Sequence, residues 1–149
     1  MMSEKRTDGT IRPDPADVFL EIAHIISSRS TCPDGARHGA VLVSEDGYIL
    51  STGYGSPMRN CDPCPTCYLR DEFERTGVKN WNVCPSVHAE VNALLAAARN
   101  GVAIKGSTLY CTKKPCLNCS RQLVNAGVAK VVYFEDGAFK HRGYWTLSV

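Results

Sequence analysis

Two short stretches decide how this chain folds: Val87-His88-Ala89-Glu90-Val91-Asn92-Ala93 and Pro115-Cys116-Leu117-Asn118-Cys119. The first opens a run from Val87 to Arg99 in which apolar residues recur at helical spacing, and Gly101 follows as a stop signal. The second opens a helical run from Pro115 to Ala126, with a proline at its start and Gly127 after its end. Each motif is therefore predicted to lie at the N-terminus of a helix.

These two helix starts carry a set of metal ligands. Cys116 and Cys119 are three positions apart and share a helix face, and we expect the positive helix terminus to lower the pKa of their thiols. His88 and Glu90 would point apart on a continuous helix, so they can serve one site only in the first turn, where the backbone enters the helix. One imidazole and two thiolates suit Zn²⁺ and leave the fourth tetrahedral position open, as catalytic zinc sites do.

Glu90 is the predicted proton carrier of this site. Two thiolates already neutralise the dication, so the metal acidifies its water less than a three-histidine site would, and a nearby base becomes useful. The carboxylate would take a water proton, deliver it to a ring nitrogen beside an amine-bearing carbon, and later help ammonia to leave. Taken singly, each residue has a simpler interpretation than a catalytic one. These interpretations are a core position for His88, a solvated surface position for Glu90, and a purely structural zinc knuckle for Cys116 and Cys119. Together, the order and spacing favour a catalytic zinc.

The rest of the chain predicts a mixed α/β domain. The apolar pattern and turn signals predict a first helix, a β-hairpin closed by Glu45-Asp46-Gly47, and two further strands that flank the Pro115 to Ala126 helix. The latter three elements form a βαβ unit with parallel strands. The predicted bounds are Ala16 to Ser30 for the helix and Gly39 to Val43, Tyr48 to Thr52, Thr108 to Thr112 and Val128 to Phe134 for the strands.

Length and composition favour one ordinary globular domain. The 149 residues carry a net charge of +2 and 44% hydrophobic residues, and they contain no apolar run of membrane length. We predict a flexible N-terminal arm (1–15) and a single domain (16–149) with an irregular Cys-rich insertion (53–86). Because the charges of both signs are interspersed, a nucleic-acid partner is not indicated, and the absence of a secretion pattern predicts a cytoplasmic protein.

Eight cysteines in a chain with this composition need an explanation. Cys111 lies in a predicted buried strand and is interpreted as a core residue. Five others cluster by position, and their Cys-x-x-Cys spacing in an intracellular protein favours zinc over disulfides. These five are Cys32, Cys61, Cys64, Cys67 and Cys84. The alternative is a set of free or redox-active thiols, but a metal site would explain how a Pro/Gly-rich insertion stays ordered.

At the two zinc motifs the sequence resembles the cytidine and deoxycytidylate deaminase superfamily, and most closely its deoxycytidylate (dCMP) deaminase branch. Further similar stretches are Arg29 to Pro33, Gly39-Ala40-Val41, Ser51 to Tyr54, and Asn125-Ala126-Gly127 followed by Val131-Val132-Tyr133. The resemblance implies a three-layer α/β/α sandwich around a five-stranded mixed sheet, hydrolysis of dCMP to dUMP for thymidylate synthesis, and a homohexamer regulated by dCTP and dTTP. It also implies a structural zinc held by Cys32, Cys61, Cys67 and Cys84, with Cys64 as the alternate ligand.

The sequence departs from the family pattern at two points. The family usually has Gly-Tyr-Asn-Gly after its second strand, with the Asn expected to bind the sugar, whereas here Tyr54 is followed by Gly55-Ser56-Pro57. An aromatic residue expected after the last acidic pair is replaced by Gly137. The candidates for compensating substrate contacts are Ser56, Asn60 and Asn92, each of which also suits a turn or helix surface.

Two other functions remain open at this point. The first keeps the chemistry on another cytosine or modified-cytosine nucleotide or nucleoside. The second is a catalytically silent zinc protein that senses nucleotides, although such a protein has no need of Glu90.

Overall fold

The computed structural model describes residues 4–135 and 142–146. This part of the chain contains four α-helices, one 3₁₀ turn and seven strands. In chain order they are α1 (Pro15–Ser27), β1 (Gly39–Val43), β2 (Ile49–Tyr54), β3 (Ser56–Pro57), α2 (Tyr68–Thr76), the 3₁₀ turn (Trp81–Val83), β4 (Ser86–Val87), α3 (Ala89–Arg99), β5 (Thr108–Cys111), α4 (Leu117–Asn125), β6 (Lys130–Phe134) and β7 (Arg142–Thr146).

Five of the strands form one mixed sheet in the order β2-β1-β5-β6-β7. Strand β1 is antiparallel to both β2 and β5, and β6 is antiparallel to β7. Strands β5 and β6 are parallel, because helix α4 crosses between them, and this confirms the predicted βαβ unit. The five-stranded mixed sheet is therefore the one that the family resemblance implied, and β7 is the strand for which the apolar pattern gave no signal.

Helices cover both faces of this sheet, which gives three layers. All five residues of β1 are buried, as expected of a strand that is covered on both sides. On one face Val41 and Val43 pack with Ala23 of α1. On the other face the strand residues meet Ala89 and Ala93 of α3 and Leu123 of α4. The fold is the predicted α/β/α sandwich.

Two glycines set how closely the helices approach the sheet. A Cβ atom at Gly39 in β1 would overlap the carbonyl oxygen of Ala23 in α1. A Cβ atom at Gly53 in β2 would overlap the Ala89 carbonyl oxygen and the Ala93 amide nitrogen in α3. The backbone of each helix therefore lies directly against a strand, and the N-terminus of α3 is fixed at the end of β2.

The insertion at 53–86 is more regular than the sequence indicated. It holds the short antiparallel pair β3 and β4, helix α2 and the 3₁₀ turn. None of the nine residues of α2 is buried, so this helix lacks the apolar core stripe on which helix prediction depends. The prediction of an irregular insertion was wrong for this segment.

The ends of the predicted elements shift by a few residues. Helix α1 begins at Pro15, where the Asp14 side chain accepts a hydrogen bond from the Ala16 N–H at 2.8 Å, and it ends at Ser27 rather than Ser30.

Before helix α1, residues 4–12 turn back on themselves, with one β-bridge between Lys5 and Ile11. In the ranges that the structure describes, no helix has both the length and the apolarity to cross a membrane.

Candidate active site

His88 and Glu90 lie at the start of α3, as the sequence predicted. His88 is the N-cap residue, and its extended backbone (φ −65°, ψ 152°) precedes the helix while its carbonyl oxygen accepts the Asn92 N–H at 2.9 Å. Glu90 is in the first turn. Because the chain bends into the helix between these two residues, their side chains are not held to the divergent directions of positions i and i+2 in a regular helix.

Helix α4 presents its cysteines in the same way. Cys116 is the N-cap residue (φ −70°, ψ 167°), and its carbonyl oxygen accepts hydrogen bonds from the N–H of Ser120 at 2.9 Å and from the Ser120 hydroxyl at 2.8 Å. Cys119 lies one turn later and is buried, whereas Cys116 is exposed. The start of α4 thus carries one exposed and one buried cysteine.

The three side chains meet at one point. The Nδ1 atom of His88 lies 3.6 Å from Cys116 Sγ and 3.4 Å from Cys119 Sγ, and the three ligand atoms are all within 4.8 Å of one another. A tetrahedral zinc ion with ordinary Zn–N and Zn–S bonds would separate a nitrogen and a sulfur ligand by about 3.6 Å. The arrangement therefore fits zinc, with Nδ1 as the coordinating nitrogen.

Burial has the largest effect on the pKa of the Cys119 thiol. It raises the pKa of Cys119 far above the ordinary value, and the neighbouring Glu90 carboxylate adds to the rise. In the metal-free chain, burial outweighs the lowering of this pKa that was expected from the helix terminus. A bound cation is what would stabilise the thiolate here.

Glu90 is 7% exposed and lies beside the metal-ligand cluster. Burial raises the pKa of its carboxyl group, while its own backbone N–H, His88 and the Cys119 thiol lower it to a smaller extent. A carboxyl group with a raised pKa holds a proton more readily than a solvated one, as a general acid must.

Comparison with known proteins agrees with this geometry. Residues 14–135 match the family model described as the cytidine and deoxycytidylate deaminase zinc-binding region. The chain belongs to this deaminase family. It is 38% identical to the deoxycytidylate deaminase of Saccharomyces cerevisiae over 97% of its own length, and it spans 45% of that protein. It is 37% identical to the deoxycytidylate deaminase of Mycobacterium phage D29, with 82% of this chain and 95% of the phage protein covered.

A solved structure of the same family has a similar fold. The dCMP deaminase of the cyanophage S-TIM5, in complex with dCMP and dUMP, superposes with a TM-score of 0.66 at 32% identity, over 83% of both chains. The apo form of that enzyme gives a TM-score of 0.65.

The three predicted substrate contacts have different positions in this chain. The Asn92 amide donates to the carbonyl oxygens of Tyr54 at 2.8 Å and Val87 at 3.2 Å, and it lies 3.5 Å from the Ser56 hydroxyl. It therefore ties the end of β2 to the segment that leads into α3. Ser56 is half-buried in β3, and Asn60 is exposed in a turn with φ 64°. Gly137 lies outside the described residues.

Four of the five loop cysteines line one cavity. Cys32 follows α1, Cys64 and Cys67 precede α2, and Cys84 follows the 3₁₀ turn, yet all four face the same space. Burial raises the pKa of the Cys64 thiol, and the nearby Cys84, Cys32 and Cys67 thiols add to this effect. Cys61 is exposed and is not among the residues that line the cavity. Cys64, the alternate ligand of the predicted second zinc site, therefore lines this cavity, and Cys61 does not. Among the described residues, only His88, Cys116 and Cys119 have ligand atoms that all lie within 4.8 Å of one another.

Sequence reasoning missed His38, which immediately precedes β1. Its ring is half-buried and close enough to His88 and Lys113 for both to affect its pKa. The available signal was its place directly before the apolar strand Gly39 to Val43, but a lone polar residue at a strand end is more often a turn residue. Lys113, three positions before Cys116, is exposed.

Proposed function

We propose that this chain hydrolyses the exocyclic amine of dCMP and releases dUMP and ammonia. The observation that carries the proposal is the cluster of His88, Cys116 and Cys119 with the buried Glu90 beside it. Its relatives named deoxycytidylate deaminase support the choice of substrate, as does the S-TIM5 enzyme, whose structure contains dCMP and dUMP.

In this proposal His88 Nδ1, Cys116 Sγ and Cys119 Sγ hold the zinc ion. When bound, the ion would supply Lewis acidity that acidifies a water molecule. Glu90 would accept a proton from water and deliver it to N3 of the cytosine ring as the water oxygen bonds to C4. Glu90 would then carry the remaining proton of this new C4 hydroxyl group to the 4-amino group, so that the C4 oxygen becomes the carbonyl oxygen, the C4–N4 bond breaks, and ammonia leaves.

The neighbouring polar residues have supporting roles in this scheme. Asn92 positions the start of α3, because its amide holds both Tyr54 and Val87. Direct contacts of Ser56 or Asn60 with the substrate stay predictions. Of these two, Ser56 is the better candidate, since it lies beside Asn92, while the left-handed backbone of Asn60 suits its turn.

We also propose a second, structural zinc ion held by Cys32, Cys64, Cys67 and Cys84. Four thiolates from three separate segments are a typical closed zinc site. An ion pair between Arg70 of α2 and Asp34 joins the insertion to the loop after α1 at the same place. The metal would thus fasten an insertion whose helix buries none of its own residues.

The family resemblance extends to assembly and control. A homohexamer, regulation by dCTP and dTTP, and a cytoplasmic location stay predictions that rest on resemblance or composition. Size-exclusion chromatography with light scattering measures the assembly, and the rate of ammonia release from dCMP with and without either nucleotide measures the regulation.

The proposed function is tested by ammonia release from dCMP, CMP, deoxycytidine and cytidine under identical conditions. We expect dCMP to be preferred at least about tenfold over deoxycytidine, the effect of one charge-assisted phosphate contact kept in the transition state. A preference for a nucleoside would favour the alternative cytosine substrates. Zinc binding without ammonia release from any of the four would favour the silent sensor.

A further inference from the structure

The ends of β1 and β5 place two polar residues beside the metal-ligand cluster. The Gly39 carbonyl oxygen accepts the Thr112 N–H at 3.0 Å, and the Gly39 N–H donates to the Thr112 hydroxyl oxygen at 3.1 Å. His38 and Lys113 are the next residues on the two strands. His38 and Lys113 are therefore neighbours across the β1–β5 strand pair, and Lys113 lies three positions before the Cys116 ligand.

The Thr112 hydroxyl orients the His38 ring. Its oxygen lies 3.4 Å from His38 Nδ1 and already accepts the Gly39 N–H, so its own proton is available to Nδ1. Burial lowers the pKa of His38, and the nearby Lys113 and His88 lower it further. When Nδ1 accepts the Thr112 hydroxyl proton, the ring proton is on Nε2, and Nε2 is then a hydrogen-bond donor.

Lys113 brings positive charge to the same place. Its backbone is anchored, because its carbonyl oxygen accepts the thiol of the buried Cys111 at 3.1 Å. Its side chain is exposed, and its ammonium is close enough to the His38 ring to lower the pKa of that imidazole. The Lys113 charge and the His38 ring are therefore neighbours in space as well as across the strand pair.

Gly55 lies opposite His38 in the neighbouring strand register. It follows β2 directly and donates its N–H to the His38 carbonyl oxygen at 3.0 Å. A Cβ atom at Gly55 would meet only the Ser30 hydroxyl oxygen, at 3.8 Å. The residue opposite His38 thus adds no side chain that could crowd the backbone of His38.

We infer that His38 and Lys113 bind the phosphate of the nucleotide and make the enzyme prefer a nucleotide over a nucleoside. Lys113 supplies a point charge for the dianion, and His38 Nε2 donates a hydrogen bond to a phosphate oxygen. This inference rests on the proposed function, since it concerns the substrate of that site, and it assigns the specificity to residues that no zinc motif contains.

The test compares Lys113→Gln with Lys114→Gln, which removes the same charge from the next, exposed position. We expect Lys113→Gln to lower the ratio of kcat/KM for dCMP to kcat/KM for deoxycytidine by about tenfold or more, and Lys113→Arg to restore most of it. Lys114→Gln should leave the ratio unchanged. The KM for dCMP should rise with salt in the unaltered protein and rise less in Lys113→Gln, a readout that a purely structural role of Lys113 would not move.

Calorimetric titration separates this inference from the proposed function, because it needs no turnover. We expect Lys113→Gln and His38→Leu to weaken dUMP binding about tenfold, and His38→Gln, which keeps an N–H donor, to weaken it less. Equal effects of Lys113→Gln and Lys114→Gln on dUMP binding would overturn the inference. Equal turnover of dCMP and deoxycytidine would also overturn it and leave the deaminase function standing. Absence of any ammonia release, with normal dUMP binding that depends on Lys113, would overturn only the proposed function.

Discussion

At the scale of single residues, the position of Glu90 follows from where α3 begins. Its carboxyl group is buried beside Cys119, in a place where a charged group with no chemical task would be costly. The same helix start presents His88 to the two thiols. Burial, proximity to the metal ligands and a raised pKa together match what a general acid–base catalyst needs.

Glu90→Gln should therefore abolish nearly all turnover of dCMP. The amide has almost the same shape but cannot carry the proton, and general acid–base catalysis contributes about 10²–10⁴-fold. Steady-state kinetics measures the effect, and zinc content and the thermal unfolding midpoint should stay close to those of the unaltered protein. Glu21→Gln, on the exposed side of α1, is the matched control. Turnover of Glu90→Gln within threefold of the control would remove Glu90 from the mechanism.

The residues of the catalytic cluster could be predicted from the sequence because their geometry is local. His88 and Glu90 share one helix start, and Cys116 and Cys119 share another. The sequence spacing therefore nearly fixes the relative positions of the two residues within each pair. The choice between Cys61 and Cys64 was different, because it depends on the path of an irregular loop through space. The role proposed above for His38 likewise depends on tertiary structure, because the pairing of β1 with β2 and β5 determines its neighbours.

At the scale of elements, the site depends on how tightly α3 lies against β2. The Gly53 position allows the helix backbone to touch the strand, and Asn92 ties the end of β2 to the residue before His88. Helix α4 is fixed by its crossover between β5 and β6. The distance between the His88 and Cys116 ligands is thus set by the packing of two helices on one sheet face.

Gly53→Ala should destabilise the fold by about 1–3 kcal/mol, because the added methyl group overlaps the backbone of α3 and the helix has to shift. Urea unfolding followed by circular dichroism measures the change. Gly55→Ala is the control, since its Cβ would have only the Ser30 hydroxyl oxygen nearby, at 3.8 Å. If the two variants unfold at the same urea concentration, the close approach of α3 does not limit stability.

Most elements were predictable, and α2 was not, for a physical reason. The helices α1, α3 and α4 and the strands β1, β5 and β6 bury apolar faces, so their sequences carry a periodic signal. Helix α2 buries no residue, and Phe73 and Tyr68 remain exposed. A helix held mainly by the segments around it leaves little pattern in its own sequence.

At the scale of the whole molecule, the α/β/α sandwich and the Cys-rich insertion are held by different means. The sandwich has a core of buried aliphatic side chains on both sheet faces. The insertion has few buried residues, and its contact with the loop after α1 is made around the four-cysteine cavity and the Arg70–Asp34 ion pair. Metal binding can supply the folding free energy that such a segment lacks.

The whole chain should therefore bind about two zinc ions, one of them in the insertion. Cys64→Ser should reduce the content to about one and expose the insertion to protease, whereas Cys61→Ser should leave about two. Elemental analysis of the purified proteins, with limited trypsin digestion alongside, measures both effects. Equal loss of zinc in the two variants would mean that the cavity-lining set of cysteines is not the ligand set.

The central claim is that this chain is a zinc-dependent deaminase acting on dCMP, and a product balance tests it most directly. Purified zinc-loaded protein is incubated with dCMP, and dUMP and ammonia are quantified over time in the same samples. We predict that both form in equal amounts, and that formation of both stops when the zinc is removed by a chelator and resumes when it is restored. Zinc-loaded protein that forms neither product from dCMP would contradict the account.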